Sequence, residues 1–283
     1  MQFSVPFPYR LAAVDVDDTL LGPDKAVSPA NREAVDQLTA LGCRVVLASG
    51  RRHANLARLC TALSLDSFAI SCQGARVEHI GTGEIIHSAV VDPAYSQAVL
   101  YEGVSRGLTV IVWQAAGIFC TAESAWTDAY RSQTGNDAIS VRPAAELASQ
   151  PAEKIVWLGE ASALSLMKRS AEVGFGGRLA LTQAHDWCLE FSAAGASKGA
   201  ALAAIARNWH IPRGAVLAFG DGYNDVSMLK WAGLGVAMAH GRDSARLAAH
   251  RISPAGDADS ALARAVREIL LRYPAGTGAP LGR

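Results

Sequence analysis

The apolar run Leu11-Ala12-Ala13-Val14 leads straight into Asp15, with Asp17 and Asp18 close behind, in the stretch AAVDVDDTLLG. An unbroken apolar run this short reads as a strand buried on both faces, the kind found in a parallel sheet covered by helices on each side. The residues that follow keep that rhythm. Ser28-Pro29 supplies an N-cap and a proline at the first helical position. Ala34, Val35, Leu38 and Leu41 then recur at helical spacing, and Gly42 marks the stop. A second strand is expected over 44–48, a second helix over about 54–63 and a third strand over 68–72. Strand, helix, strand, helix, strand predicts an α/β fold with a doubly wound parallel sheet.

The rhythm changes after Gly74. ARVEHIGTGEIIHSAV reads as two extended runs joined by a Gly-Thr-Gly turn. Strand-like TVIVWQAAGIFCTA, KIVWLGE and RLALTQAHDWCLEFSA follow, with helical stretches near 93–106 and 161–173. This middle part, 82–189, is expected to be a separate α+β unit inserted into a core made of 1–81 and 190–283. The α/β rhythm returns at Ser197 with Ala201, Leu202, Ile205 and Ala206 on one helix face, then a strand over 215–219, the segment GDGYND, a strand LGVAM and helices over 244–250 and 259–271. The Gly- and Pro-rich tail PAGTGAPLGR is expected to be mobile.

Composition excludes several classes of function. A chain of 283 residues leaves room for two domains, and with half of them hydrophobic and 18% charged it can bury a sizeable core. Lys+Arg and Asp+Glu both number 26, so there is no basic excess to suit nucleic acid. No apolar stretch approaches the ~20 residues that span a bilayer, and MQFSVPFPYR lacks the pattern of a signal peptide. Cys43, Cys60, Cys72, Cys120 and Cys188 are odd in number and form no metal-binding or C-x-x-C pattern. They read as buried thiols of a reduced, cytoplasmic protein.

Four short segments carry chemistry, each at a strand end or a helix start, where the ligands of open α/β sheets gather. In AAVDVDDTLLG, Asp15 and Asp17 lie two apart on an extended exit, so their carboxylates can reach toward one side. Carboxylates crowded together repel unless a cation or a proton intervenes, and a hard divalent ion such as Mg2+ suits their oxygens. A calcium loop of the EF-hand type is excluded, because its required Gly and Glu positions hold Leu20 and Ala26. Ser49 and Gly50 in VVLASGR offer a hydroxyl and a bare amide to a phosphate oxygen, or simply form a turn. Lys198 in GASKGAAL occupies the first turn of a helix, where the dipole disfavours a cation, so it either holds an anion or is a solvated surface residue. In AFGDGYNDVSML, Asp221 can complete a metal site and Asn224 can bind phosphate; both residue types also cap helices.

Taken together, DVDDTL, SGR, SKG and GDGYND resemble the four motifs of the haloacid dehalogenase superfamily. The insertion and LGVAM resemble its Cof-like branch with a type C2 cap, and the likeness runs from about residue 11 to 271. The resemblance implies a phosphatase in which Asp15 is the nucleophile and Asp17 the general acid and base. Mg2+ would take carboxylates from Asp15 and Asp221 and the backbone oxygen of Asp17. The backbone at Val16, with Ser49, Gly50, Lys198 and Asn224, would bind phosphate, and Asp225 would orient the metal site. The implied substrate is a small organic phosphomonoester such as a sugar phosphate, nucleotide or cofactor phosphate, with no nucleic acid or membrane partner. A phosphomutase could use the same aspartates, whereas a non-catalytic phosphoester sensor would ordinarily have lost Asp15, Asp17 or Lys198. The departures are Gln73-Gly74 where the branch usually has Asn-Gly, Ala239-His240-Gly241 where Asn-Ala is common, and SPAGDADSA near the end. Trp113, Trp126, His185 and Trp187 in the insertion are candidate substrate contacts or core aromatics. His53 and His240 read as surface or capping histidines.

Overall fold

The computed structural model describes residues 7–134 and 137–273, so the tail expected to be mobile lies outside the described residues. These form two compact units, one comprising the segments up to His87 and from Ser197 onward, the other Ser88–Ala196. Both divisions fall several residues later than the sequence rhythm suggests. The Gly-Thr-Gly hairpin pairs with the sheet of the first unit, and the last strand before Ser197 pairs within the second.

In the first unit the chain runs β1 (Leu11–Asp15), α1 (Pro29–Ala40), β2 (Arg44–Ala48), α2 (His53–Ala62), β3 (Phe68–Ser71), β4 (Arg76–His79) and β5 (Ile85–Ser88). In the second it runs α3 (Pro93–Ser105), β6 (Thr109–Gln114), β7 (Gly117–Cys120), α4 (Ala125–Gln133), β8 (Ile139–Val141), α5 (Ala144–Ala148), β9 (Lys154–Leu158), α6 (Ala161–Phe175), β10 (Leu179–His185) and β11 (Cys188–Ala193). It then re-enters the first unit as α7 (Lys198–Asn208), β12 (Val216–Gly220), α8 (Val226–Trp231), β13 (Leu234–Ala237), α9 (Asp243–Ala248), β14 (Arg251–Ile252) and α10 (Ala261–Leu270).

The first unit holds an eight-stranded sheet ordered β14-β13-β12-β1-β2-β3-β4-β5, parallel from β14 through β3 and antiparallel between β3 and β4. β1 sits inside it, and Leu11 to Val14 are fully buried. Successive side chains of a strand point to opposite faces. Ala12 and Val14 therefore pack with Val35 and Leu38 of α1, Leu56 of α2 and Val266 of α10. Leu11 and Ala13 pack with Leu202 and Ile205 of α7 and Met228 of α8. The apolar run has no polar face because both of its faces meet helices.

Local chemistry sets the helix starts. Ser28 Oγ accepts from the Asn31 amide at 3.1 Å, and Ser197 Oγ accepts from the Ala200 amide at 3.1 Å. Between β3 and β4, Cys72, Gln73 and Gly74 all have positive φ (50°, 60° and 96°).

The second unit is a six-stranded sheet, β10-β11-β9-β6-β7-β8, antiparallel except between β7 and β8. One face buries Val110, Val112, Ile155, Trp157, Leu189 and Phe191 against Leu100 of α3, Leu147 of α5 and Leu164 of α6. The sequence reading omits α4, β8 and α5, which are short. The local signal for α4 is a capping box, in which Ser124 Oγ accepts from the Thr127 amide and Thr127 Oγ1 accepts from the Ser124 amide.

Gly74 is a tight point in the first unit's connections, pressed against backbone. A Cβ there would stand 2.2 Å from the carbonyl carbon of Ser197. Gly74→Ala is expected to destabilise the protein by at least about 2 kcal/mol, since left-handed strain alone costs about 1–2 kcal/mol and the clash adds to it. Urea unfolding checks this; a loss below about 1 kcal/mol, less than the strain term by itself, would mean that the chain does not pass Ser197 so closely.

Candidate functional site

Parallel pairing brings the chemistry-bearing segments to one end of the sheet. Asp15 is in register with Ala48, so Ser49 follows beside it, and Val14 is in register with Phe219, so Gly220 and Asp221 follow on the other side. Lys198 opens α7 behind its Ser197 cap.

Lys198 has no exposed surface, so it is not a solvated surface residue. Its Nζ donates to Asp15 Oδ1 at 2.5 Å and to Asp225 Oδ1 at 2.6 Å. Asp225 Oδ2 accepts from the amides of Asp221 (2.9 Å) and Gly222 (2.8 Å). Both oxygens of Asp225 are therefore engaged, and the turn carrying Asp221 is fixed. Thr19 Oγ1 donates to Asp221 Oδ1 at 3.1 Å, a positioning contact that the sequence reading misses although Thr19 stands within DVDDTL.

The carboxylates of Asp15, Asp221 and Asp225 place oxygens within 4.8 Å of one another. Burial, then the charge of Asp225, push the Asp15 carboxyl well above its ordinary range against the pull of Lys198. Burial and Asp225 likewise raise Asp221. For Lys198, burial favours the neutral form, but Asp15 and Asp225 prevail and raise its pKa. One buried ammonium among three acids leaves excess negative charge, and the all-oxygen donor set fits a hard divalent cation.

Asp17 is placed differently from the sequence expectation. Its carboxylate is not part of the cluster formed by Asp15, Asp221 and Asp225. Instead it takes a two-pronged salt bridge from Arg51, Nε to Oδ2 at 3.0 Å and Nη2 to Oδ1 at 2.6 Å, with Lys25 at 3.8 Å. The reason is geometric: Arg51 follows Gly50 at the end of β2, and a planar guanidinium matches a carboxylate fork. Burial would raise the Asp17 pKa, yet the Arg51 hydrogen bonds and charge outweigh it and hold the group below its ordinary range.

Val16 is buried, and its carbonyl accepts from the amides of Leu20 and Leu21. Ser49 is buried, and its Oγ accepts from the Arg51 amide at 3.2 Å. Asn224 is exposed and donates from Nδ2 to Gln73 Oε1 at 2.8 Å. Gln73 thus joins the site through a contact between residues far apart in sequence. His240 Nε2 lies 2.7 Å from the Asp18 carbonyl, and His53 Nε2 lies 3.4 Å from Glu78. In the second unit Trp113 is buried beneath Lys154 Nζ, which is 4.1 Å from the ring centroid and 2.7 Å from Glu190 Oε1. Trp126, Trp187 and His185 form a half-exposed stack, with centroids 6.1 and 5.2 Å apart. All five cysteines are buried. Among the described residues, no helix is long and apolar enough to cross a membrane.

The chain matches the haloacid dehalogenase-like hydrolase family over residues 12–266. It is 28% identical over 231 residues to an HMP-PP phosphatase from Enterobacter sp. (strain 638), covering 82% of this chain and 84% of the relative. It is 28% identical over 277 residues to phosphatase YwpJ of Bacillus subtilis, covering 88% and 95% respectively. A crystal structure of a haloacid dehalogenase-like hydrolase from Bacteroides thetaiotaomicron superposes with a TM-score of 0.80 at 27% identity, covering 92% of this chain and 99% of that one.

Two measurements check the electrostatics. Lys198→Met leaves Asp15 and Asp225 buried against each other and is expected to cost about 3–5 kcal/mol at neutral pH. A proton can replace the lost ammonium, so the variant should regain stability as the pH falls toward the ordinary Asp value of about 3.9; urea unfolding across pH reads this. In Arg51→Ala, the pKa of Asp17 should rise, because burial then acts with less opposition. Carboxyl-carbon NMR titration follows it. In the parent, Asp17 stabilises the fold above its ordinary pKa, and that contribution is lost as the pH falls through the lowered one.

Proposed function

The chain belongs to the haloacid dehalogenase-like hydrolases, in their Cof-like branch, and is a phosphatase; from that premise we propose that it hydrolyses a small organic phosphomonoester with Mg2+, through a phospho-aspartyl intermediate on Asp15. The observation that carries this reading is Asp15 held by the buried Lys198, with an Asp221 oxygen within 4.8 Å.

In this reading Asp15 is the nucleophile. Lys198 steers its carboxylate and, with the Val16 backbone, Ser49, Gly50 and Asn224, receives the phosphate oxygens. Asp15 and Asp221, with the Asp17 backbone oxygen, would hold Mg2+, which offsets the charge of the dianion and polarises a phosphoryl oxygen. Asp225 keeps Lys198 and the Asp221 turn in place. Asp15 attacks phosphorus in line, and the leaving oxygen takes a proton from Asp17. While paired with Arg51, Asp17 is held ionised. Released from the guanidinium, it keeps the burial that raises its pKa and can carry the proton. Ionised again, it takes a proton from the water that hydrolyses phospho-Asp15.

The residues around Asp15 read a phosphoryl group and offer little to an organic moiety. We assign that task to the second unit, with Trp113, Trp126, His185 and Trp187 as candidate contacts. Five buried cysteines, odd in number and with no C-x-x-C pattern, suit a reducing compartment, the cytoplasm.

Chelator should abolish release of phosphate from a panel of phosphoesters that includes HMP-PP, and Mg2+ should restore it. Undiminished turnover in chelator would sink the metal assignment, and isomerisation of a sugar bisphosphate without free phosphate would mark a mutase. Asp221→Ala should weaken Mg2+ affinity while leaving the fold intact. Asp15→Asn should eliminate turnover. Asp17→Asn should slow it by ~10²–10⁴-fold and, with an activated aryl phosphate, accumulate one phosphoryl adduct visible by mass spectrometry after an acid quench. An adduct on the Asp15→Asn protein would overturn the mechanism. Alanine at the four second-unit residues should reorder preference among esters more than it changes hydrolysis of the aryl phosphate.

A further inference from the structure

We propose that Gln73 is a phosphate-binding residue, whose side-chain nitrogen extends the anion cradle formed by the Ser49-Gly50 turn. The inference deepens the phosphatase reading and rests on it for the identity of the anion.

The backbone that carries Gln73 is unusual. Cys72 and Gln73 both take left-handed φ values, 50° and 60°, with no glycine at either position. Residues other than glycine hold such a conformation only where their surroundings enforce it, and these positions cluster at functional sites. Here the enforcement comes from the neighbouring motif. The Cys72 amide donates to the Arg51 carbonyl at 3.0 Å, and the Gln73 amide donates to the Ser49 carbonyl at 3.1 Å. On the other side, Gly74 lies against the Ser197-Lys198 peptide. The segment Cys72–Gly74 is thus clamped between the SGR turn and the start of the helix that carries Lys198.

That clamp aims the Gln73 side chain at the site. A Cβ built on Gly50 would meet Gln73 Nε2 at 2.6 Å, so the carboxamide lies directly over the bare backbone of Gly50. The orientation of the carboxamide follows from its other partner. Asn224 Nδ2 is a donor and lies 2.8 Å from Oε1, so Oε1 faces Asn224 and Nε2, with its two hydrogens, faces Gly50. Gln73 therefore presents a donor over the bare Cα of Gly50 and ties that turn to Asn224. Gly50, Gln73 and Asn224, from three separate loops, thus come together, and each carries an N–H donor.

Isothermal titration of inorganic phosphate into the full-length protein with Mg2+ tests the assignment. Gln73→Glu keeps the length and the oxygen that holds Asn224 but replaces the donor nitrogen by a charged acceptor. Gln73→Met keeps the length and removes both polar atoms. Phosphate affinity is expected to fall about ten-fold or more in Gln73→Met, the scale of a lost hydrogen bond to a charged group, and further in Gln73→Glu. Thermal unfolding in parallel should show both variants folded, and the graded order of donor, apolar group, anion is one that a merely structural role would not produce. Gln73→Met binding phosphate within two-fold of the parent would overturn the proposal. Hydrolysis of an aryl phosphate by the parent is measured separately. Turnover with phosphate affinity indifferent to Gln73 leaves the phosphatase reading standing and removes this inference; Gln73-dependent phosphate binding without turnover does the reverse.

Discussion

A single ammonium group, with no surface exposed to water, organises the first unit's site. Burying Lys198 would be prohibitive without partners of opposite charge. It has two, Asp15 and Asp225, which stand 183 and 27 positions away in sequence. The end of β1, the start of α7 and the loop after β12 must therefore converge whenever the chain is folded. Asp225 transmits the constraint further, since its second oxygen holds the amides of Asp221 and Gly222. Charge sets the chemistry as well: with Asp221 nearby, one cation among three carboxylates leaves a demand for a second.

The sheet makes this convergence possible. In a parallel array every strand ends on the same side, and the register of β1 with β2 and β12 places Asp15, Ser49 and Asp221 in adjacent columns. Helices on both faces require β1 to be apolar throughout, so the first polar residue can appear only where the strand leaves the core. The acids at 15, 17 and 18 occupy that exit.

Beyond the exit, electrostatics decides between neighbours. Asp15 and Asp17 have the same chemistry and lie two residues apart, yet their carboxyls are shifted in opposite directions, Asp15 upward by burial and like charge, Asp17 downward by the Arg51 fork. The fork comes from Arg51, which adjoins the Ser49-Gly50 turn at the end of β2.

Much of this is legible without coordinates. The apolar run 11–14, the Ser28-Pro29 and Ser197 caps, and the helical spacing of residues 201–206 specify local structure through burial and capping, which act over a few residues. They suffice for the strand–helix alternation of a doubly wound sheet and for placing Asp15, Ser49, Lys198 and Asp221 at its loops. The short elements β8 and α5 lack such patterns, α4 offers only its Ser124 cap, and the hairpin of β4 and β5 shows its turn in sequence but not which sheet it joins. Partner choice is what tertiary structure alone decides. Lys198 could have been a surface residue, Asp17 could have faced Asp15, and Gln73 could have lain in an ordinary turn. Each outcome depends on Coulomb and hydrogen-bond contacts between groups distant in sequence, and those contacts exist only once the sheet has brought its loops together.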